Sequence, residues 1–142
     1  MSIFFKGEEV EAVLFSPLEG QLTYKGKPAA GAKIKLWIAW KDKQGETEYF
    51  SADEQGYFKL PKKTVVYRDS PLAQIVIVQE LYVEYQANSY LIWSLSKTKT
   101  GEFSELGGKP IGFRCELEDE LETIRTDDVL MGTACQWDSI EK

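Results

Sequence analysis

The chain has 142 residues, 43% of them hydrophobic and 28% charged, with a formal net charge of −6. These values fit one soluble globular domain spanning residues 1–142, long enough to bury a core without a metal or disulfide staple. Histidine is absent, which excludes the Ser-His-Asp triad, the Cys-His pair and every histidine-ligated metal centre. No apolar run approaches the ~20 residues that a membrane-spanning helix needs.

In chain order, Met1–Glu9 lacks a basic segment followed by a long apolar one, so it is not a secretory signal. The expectation is a cytoplasmic protein, or one exported by a route that uses no such signal. Alternation then dominates. Glu11–Ser16 is a short strand ended by Pro17, and Glu19–Lys25 is a second, closed by a turn at Gly26-Lys27-Pro28. Lys33–Lys41 alternates strongly, with Ile34, Leu36, Ile38 and Trp40 on one face and Lys33, Lys35, Trp37 and Lys41 on the other. Asp42-Lys43-Gln44-Gly45 turns the chain into Glu46–Ala52. Centring a hairpin on that turn pairs Trp37 with Phe50 and Ala39 with Glu48 on one face, and Ile38 with Tyr49 on the other. Asp53-Glu54-Gln55-Gly56 is the next turn, before Tyr57–Leu60.

Residues 62–73 read as irregular, with one helical turn near Leu72. Gln74–Tyr85 is a long strand rich in Ile and Val. It turns at residues 86–89 into Tyr90–Lys97. A polar loop, Thr98–Pro110, leads to two last strands, Ile111–Glu118 and Leu130–Trp137, with Leu117 and Leu121 inward. Short strands between Gly/Pro turns indicate an all-β sandwich or barrel. Its core should include Leu22, Ile34, Leu36, Ile38, Ile77, Leu81, Val83 and Ile92.

Gly20-Gln21-Leu22, Gly26-Lys27-Pro28-Ala29-Ala30-Gly31-Ala32-Lys33-Ile34 and Asp53-Glu54-Gln55-Gly56-Tyr57-Phe58 resemble the carboxypeptidase-regulatory-like, transthyretin-like β-sandwich. The remainder, with Tyr90-Leu91-Ile92-Trp93, Glu105-Leu106-Gly107-Gly108-Lys109-Pro110 and Cys115-Glu116-Leu117, is similar to a small proteobacterial family of unknown function that carries this sandwich. The resemblance implies a single transthyretin-like (Ig-like) sandwich of about seven to nine strands with a C-terminal hairpin. It implies no activity. In the carboxypeptidases the module is an accessory domain, and transthyretin-like hydrolases use histidines that this chain lacks.

Three constellations remain. Trp37, Lys33, Lys35 and Phe50 on one sheet face form either a structural cross-strand set or a contact platform for a carbohydrate or protein. Cys115 and Cys135 face each other across the last hairpin at a separation a disulfide can bridge; the cytosolic default is two buried free thiols. The charge is also polarised. Residues 1–112 hold 14 acids and 14 bases, whereas residues 113–142 hold nine acids and three bases. Glu116, Glu118, Asp119, Glu120, Glu122, Asp127 and Asp128 therefore form an acidic surface that repels nucleic acid and anionic membranes and suits a basic protein. They match no calcium-loop order. The expectation is a non-catalytic protein-binding module of inhibitor or immunity type, without cofactor or metal. An accessory carbohydrate- or envelope-binding module is the alternative, and a carboxylate hydrolase is disfavoured. Oligomeric state is left open.

Overall fold

The computed structural model describes residues 8–69 and 74–142. Among these residues the fold is an all-β sandwich. Eight strands have five or more residues: β1 (Glu9–Phe15), β2 (Leu18–Tyr24), β4 (Lys33–Ala39), β5 (Glu46–Ser51), β7 (Lys63–Arg68), β8 (Ile77–Tyr85), β9 (Asn88–Lys97) and β13 (Val129–Thr133). Seven shorter pieces complete it: β3 (Lys27–Pro28), β6 (Tyr57–Leu60), β10 (Lys109–Ile111), β11 (Arg114–Glu116), β12 (Glu122–Arg125), β14 (Cys135–Gln136) and β15 (Ser139–Glu141).

One layer is a six-stranded antiparallel sheet in the order β12-β13-β9-β8-β4-β5. The other is built on β2, which pairs with β3 and β6 on one side and lies parallel to β11 on the other, with β14 beyond. Two ribbons, β1–β7 and β10–β15, flank these sheets. All eight expected core residues are buried, in one cluster with Leu18, Phe58, Leu60 and Cys115 of the second sheet. A bulge between Leu81 and Tyr82 in the β8–β9 ladder lets consecutive residues, Ile92 and Trp93, both enter the core.

Close backbone approaches explain two glycines in the resemblance motifs. A Cβ on Gly20 would lie 2.5 Å from the Phe113 carbonyl oxygen, the oxygen that accepts the Gln21 N–H. Gly56 has φ +78°, and a Cβ there would lie 2.4 Å from the Leu22 carbonyl oxygen. Asp53 Oδ1 caps the same turn, accepting the N–H groups of Gln55 and Tyr57 at 2.8 and 2.9 Å.

Three readings need correction. Residues 63–68 are not irregular: the β-branched run Thr64-Val65-Val66 suits a strand, and β7 pairs with β1 from Glu9↔Arg68 to Phe15↔Lys63. Leu72 lies outside the described residues. The β4–β5 register is shifted, pairing Trp37 with Thr47, Ile38 with Glu46 and Ile34 with Phe50. The cause is a loop wider than a tight turn. Asp42 Oδ1 accepts the N–H groups of Gln44 and Gly45 at 3.0 Å, and the Trp37 indole N–H donates to the Gln44 carbonyl at 3.0 Å.

The last thirty residues are not a simple hairpin either. Cys115 does oppose Cys135, in the β2 sheet, but the chain between them leaves for the other layer. There β12 and β13 pair from Glu122↔Thr133 to Arg125↔Leu130. The return step is held by Ile92, whose carbonyl accepts the Ala134 N–H at 3.0 Å and the Thr133 hydroxyl at 2.9 Å. The crossing leaves Leu121 42% exposed rather than inward, while Leu117 is buried.

Candidate functional site

The seven expected acidic residues fall into three groups. Glu116 is half-buried, and its carboxylate is used up internally. It accepts the N–H groups of Gly26 (2.8 Å), Lys25 (3.1 Å) and Glu118 (3.2 Å) and the Thr23 hydroxyl (3.2 Å). Burial raises its pKa, but these donors outweigh burial and hold the group below the usual carboxylate range. Glu116 therefore fastens β11 to the β2–β3 turn and is withdrawn from the expected contact surface.

Glu118, Asp119, Glu120 and Glu122 are exposed, and no ion pair among the described residues engages them. Asp119, Glu120 and Glu122 line a shallow groove of about 380 Å³ with Thr133, Ala134, Cys135 and Gln136. Asp127 and Asp128 sit apart, at the tip of the β12–β13 hairpin, where Thr126 Oγ1 accepts the Asp128 and Val129 N–H groups. The three residue steps of β12 carry the chain about 10 Å from Glu122 to Arg125, and the tip lies beyond Arg125.

Sequence reasoning missed the aromatic flank of the first patch. Tyr24 meets Tyr85 and Tyr90 with ring centroids 5.4 and 6.2 Å apart, and the Lys25 ammonium lies 5.3 Å from the Tyr24 centroid. The Tyr90 hydroxyl is pushed up by burial, then by its hydrogen bond to Tyr24 and by the Tyr24 and Glu118 charges. Glu118 thus acts on Tyr90, one of three half-buried tyrosines in mutual contact, a residue type enriched in protein interfaces.

The patch is pinned from below. Cys115 and Cys135 form a disulfide with a Cα separation of 4.0 Å, so the free-thiol default is overturned. Both cysteines are buried. The bridge closes the 20-residue segment that contains the acidic loop.

The Trp37 surface is assembled differently from the expectation. Lys33, Lys35 and Trp37 do share the outer face of the six-stranded sheet, but the register puts Phe50 on the opposite face, packed against the core. Tyr49 and Tyr82 take its place. The Lys33 ammonium lies 4.5 Å from the Tyr49 ring centroid and that of Lys35 5.5 Å from Tyr82. Trp37 is half-buried and folded onto its own hairpin loop. On the other side of that hairpin lies a groove of about 500 Å³. Its floor includes Leu14, Leu36 and Ile38, and its rim carries Glu46 and the paired Glu48 and Lys63.

A second cluster was also missed, inside the sandwich. Lys97 Nζ and Glu105 Oε2 are 3.3 Å apart, with side chains 0% and 6% exposed. Glu105 also accepts the Ser16 N–H (3.0 Å), the Ser16 hydroxyl (2.6 Å) and the Gln79 amide (2.9 Å). Gln79 donates as well to the Leu14 carbonyl and accepts the Trp93 indole N–H at 3.0 Å. Lys97 donates to Ser104 at 2.9 Å. Burial drives the Lys97 pKa down, partly offset by Glu105. Burial also works against the Glu105 charge, but Lys97, Ser16 and Gln79 outweigh it and keep the carboxylate ionised. The signal was present in the strands: Gln79 and Lys97 occupy the inward phase of β8 and β9 among Ile77, Leu81 and Leu95.

The family described as Domain of unknown function (DUF6795) matches residues 18–120. The chain belongs to this family. The match runs from the start of β2 into the acidic loop, so it includes Gln79, Lys97, Glu105 and Cys115 and ends before β12. Comparison with curated proteins and with solved structures returned no match. No helix among the described residues is long and apolar enough to cross a membrane.

Proposed function

We propose that the protein is a non-catalytic binding module of inhibitor or immunity type. It takes a basic protein surface at Glu118, Asp119, Glu120 and Glu122, with Tyr24, Tyr85 and Tyr90 as the aromatic margin. The observation that carries this reading is the contrast within one acidic segment. Glu116 is spent on holding a turn, whereas the next four carboxylates stay exposed and, among the described residues, without ion pairs, near tyrosines and above a covalent crosslink. Such a patch steers a cationic partner and offers rigid aromatic area on contact. The lack of histidine supports the non-catalytic reading. The Asp53–Gly56 turn and the two-layer β architecture support the transthyretin-like assignment. A buried disulfide persists in oxidising compartments, which favours an oxidising compartment, or a partner met outside the cytosol, over purely cytosolic residence.

The test is calorimetry with a partner captured on the immobilised protein from an extract of the source organism. The triple variant Glu118→Lys, Glu120→Lys, Glu122→Lys should bind at least about tenfold more weakly than wild type. Tyr90→Ala should weaken binding by at least about fivefold, as expected for an aromatic contact. Unchanged affinity in both variants would move the binding surface to the Lys33–Lys35–Tyr49 sheet face.

A further inference from the structure

The buried Lys97–Glu105–Gln79 cluster holds the parts of a reaction as well as those of a clamp. Lys97 Nζ and Gln79 Nε2 donate to the same oxygen, Glu105 Oε2, at 3.3 and 2.9 Å. The Gln79 carbonyl oxygen is polarised by the Trp93 indole N–H at 3.0 Å. An amine, an activated amide carbonyl and a carboxylate touching both the amine and the amide NH₂ therefore meet in one place. Aminolysis of an amide needs the amine and the carbonyl, and a carboxylate touching both partners can carry the proton between them. The backbone supports the encounter: Ile77 pairs with Lys97 and Gln79 with Leu95. Gln79 and Lys97 are thus diagonal neighbours on one face of an antiparallel pair, a spacing that long side chains can bridge. Lys97 and Gln79 are fully buried, which shields the encounter from bulk water as a competing nucleophile. Burial also lowers the Lys97 pKa toward the free amine.

We propose that Lys97 and Gln79 become joined by an intramolecular isopeptide bond, with Glu105 as the proton carrier. Glu105 takes one proton from the Lys97 ammonium, and the freed Nζ lone pair attacks Gln79 Cδ. The charge that develops on Oε1 is held by the Trp93 N–H. Glu105 returns its proton to Nε2, the Cδ–Nε2 bond breaks with its electron pair going to nitrogen, and ammonia departs. Glu105 removes the surplus proton from Nζ and passes it to the ammonia, which leaves as ammonium. Glu105 ends as it began, no oxidation occurs, and one neutral amide replaces an ammonium and a side-chain amide. The product removes the buried cation, and Glu105 keeps the Ser16 N–H and hydroxyl as donors. Glu105 itself is the poorer electrophile, because the donors from Ser16, Gln79 and Lys97 keep it an anion.

The experiment is the intact mass of the full chain under denaturing, reducing conditions, followed by proteolysis and tandem mass spectrometry. The expected result is a chain lighter than its sequence by one ammonia, and a branched peptide linking Lys97 to Gln79. Glu105→Gln keeps the size of the side chain but cannot carry the proton, so it should show the full sequence mass. The wild-type measurement decides the matter even if that variant does not fold. A full-mass wild-type chain would overturn the proposal. So would an ammonia loss mapped elsewhere, or loss of water with a Lys97–Glu105 link.

Discussion

The exposed loop at Glu118–Glu122 and the buried cluster around Glu105 use the same functional groups under opposite solvation. In the loop, the carboxylates are exposed, and among the described residues no cation is paired with them. In the cluster, Glu105 is 6% exposed at its side chain and has four donors. Among the described residues, no buried side-chain polar atom is left without a partner. Burial, more than charge, therefore separates a group available for recognition from one committed to architecture. Glu116 lies between the two extremes: half-buried, satisfied by three backbone N–H groups and a hydroxyl, and structural.

The comparison breaks most sharply at Glu105. Glu105→Ala leaves Lys97, Gln79 and Ser16 facing an apolar gap and should destabilise the fold by about 3–5 kcal/mol. Glu120→Ala should stay within about ±0.5 kcal/mol in the same denaturant titration. Equal shifts in midpoint would mean that the interior cluster is wet. Next in size is the disulfide. Replacing Cys115 and Cys135 by alanine should cost about 3 kcal/mol for a loop of this length, and the loss should appear in the unfolding midpoint with the native far-ultraviolet spectrum retained.

Glu116 gives a smaller effect with a sign. Its folded-state pKa lies below the unfolded value, so its stabilisation is complete above the ordinary carboxylate pKa. That contribution is lost as pH falls through the lowered folded-state value. Glu116→Gln should cost about 1 kcal/mol at neutral pH, and the gap to wild type should close as the pH drops below the carboxylate range. A gap that stays constant with pH would show that the carboxylate charge has no part in holding the turn. The smallest stability change belongs to the patch itself. Glu118→Lys, Glu120→Lys, Glu122→Lys should leave the unfolding midpoint almost unmoved, because exposed charges contribute little.

The sandwich was legible because β2 and β4 alternate cleanly, because β8 is a long run rich in Ile and Val, and because Gly56 and Asp53 mark their turn chemically. The Cys115–Cys135 pairing was legible too, although the chain between the cysteines visits the other sheet, a crossing that local alternation does not encode. The β4–β5 register was not legible: it depends on Asp42 capping two backbone groups and on Trp37 reaching Gln44, and both widen the loop. β7 was hidden by its charged ends and by its partner, which lies fifty residues away in β1. At the acidic site, composition located the patch but could not separate Glu116, bound by Gly26 and Lys25, from Glu118, which is exposed. It also could not bring Tyr24, Tyr85 and Tyr90 together from three different strand ends. The Lys97–Glu105 cluster needed tertiary structure, since Glu105 sits in a loop that reads as polar and solvated.

The most direct test of the central claim exploits the separation between the Glu118–Glu122 patch and the Asp127–Asp128 tip. Stopped-flow association with the captured partner would compare wild type, the triple patch reversal, and Asp127→Lys, Asp128→Lys, each at low and high ionic strength. At low salt the patch reversal should slow association by about tenfold or more, and the difference should shrink at high salt as screening shortens the field to a few ångströms. The tip reversal should change the rate by less than about threefold, as expected for charges outside the contact. Equal slowing by both reversals would show that only the overall charge matters. Rates indifferent to salt and to both reversals would contradict the assignment of the acidic loop as the recognition surface.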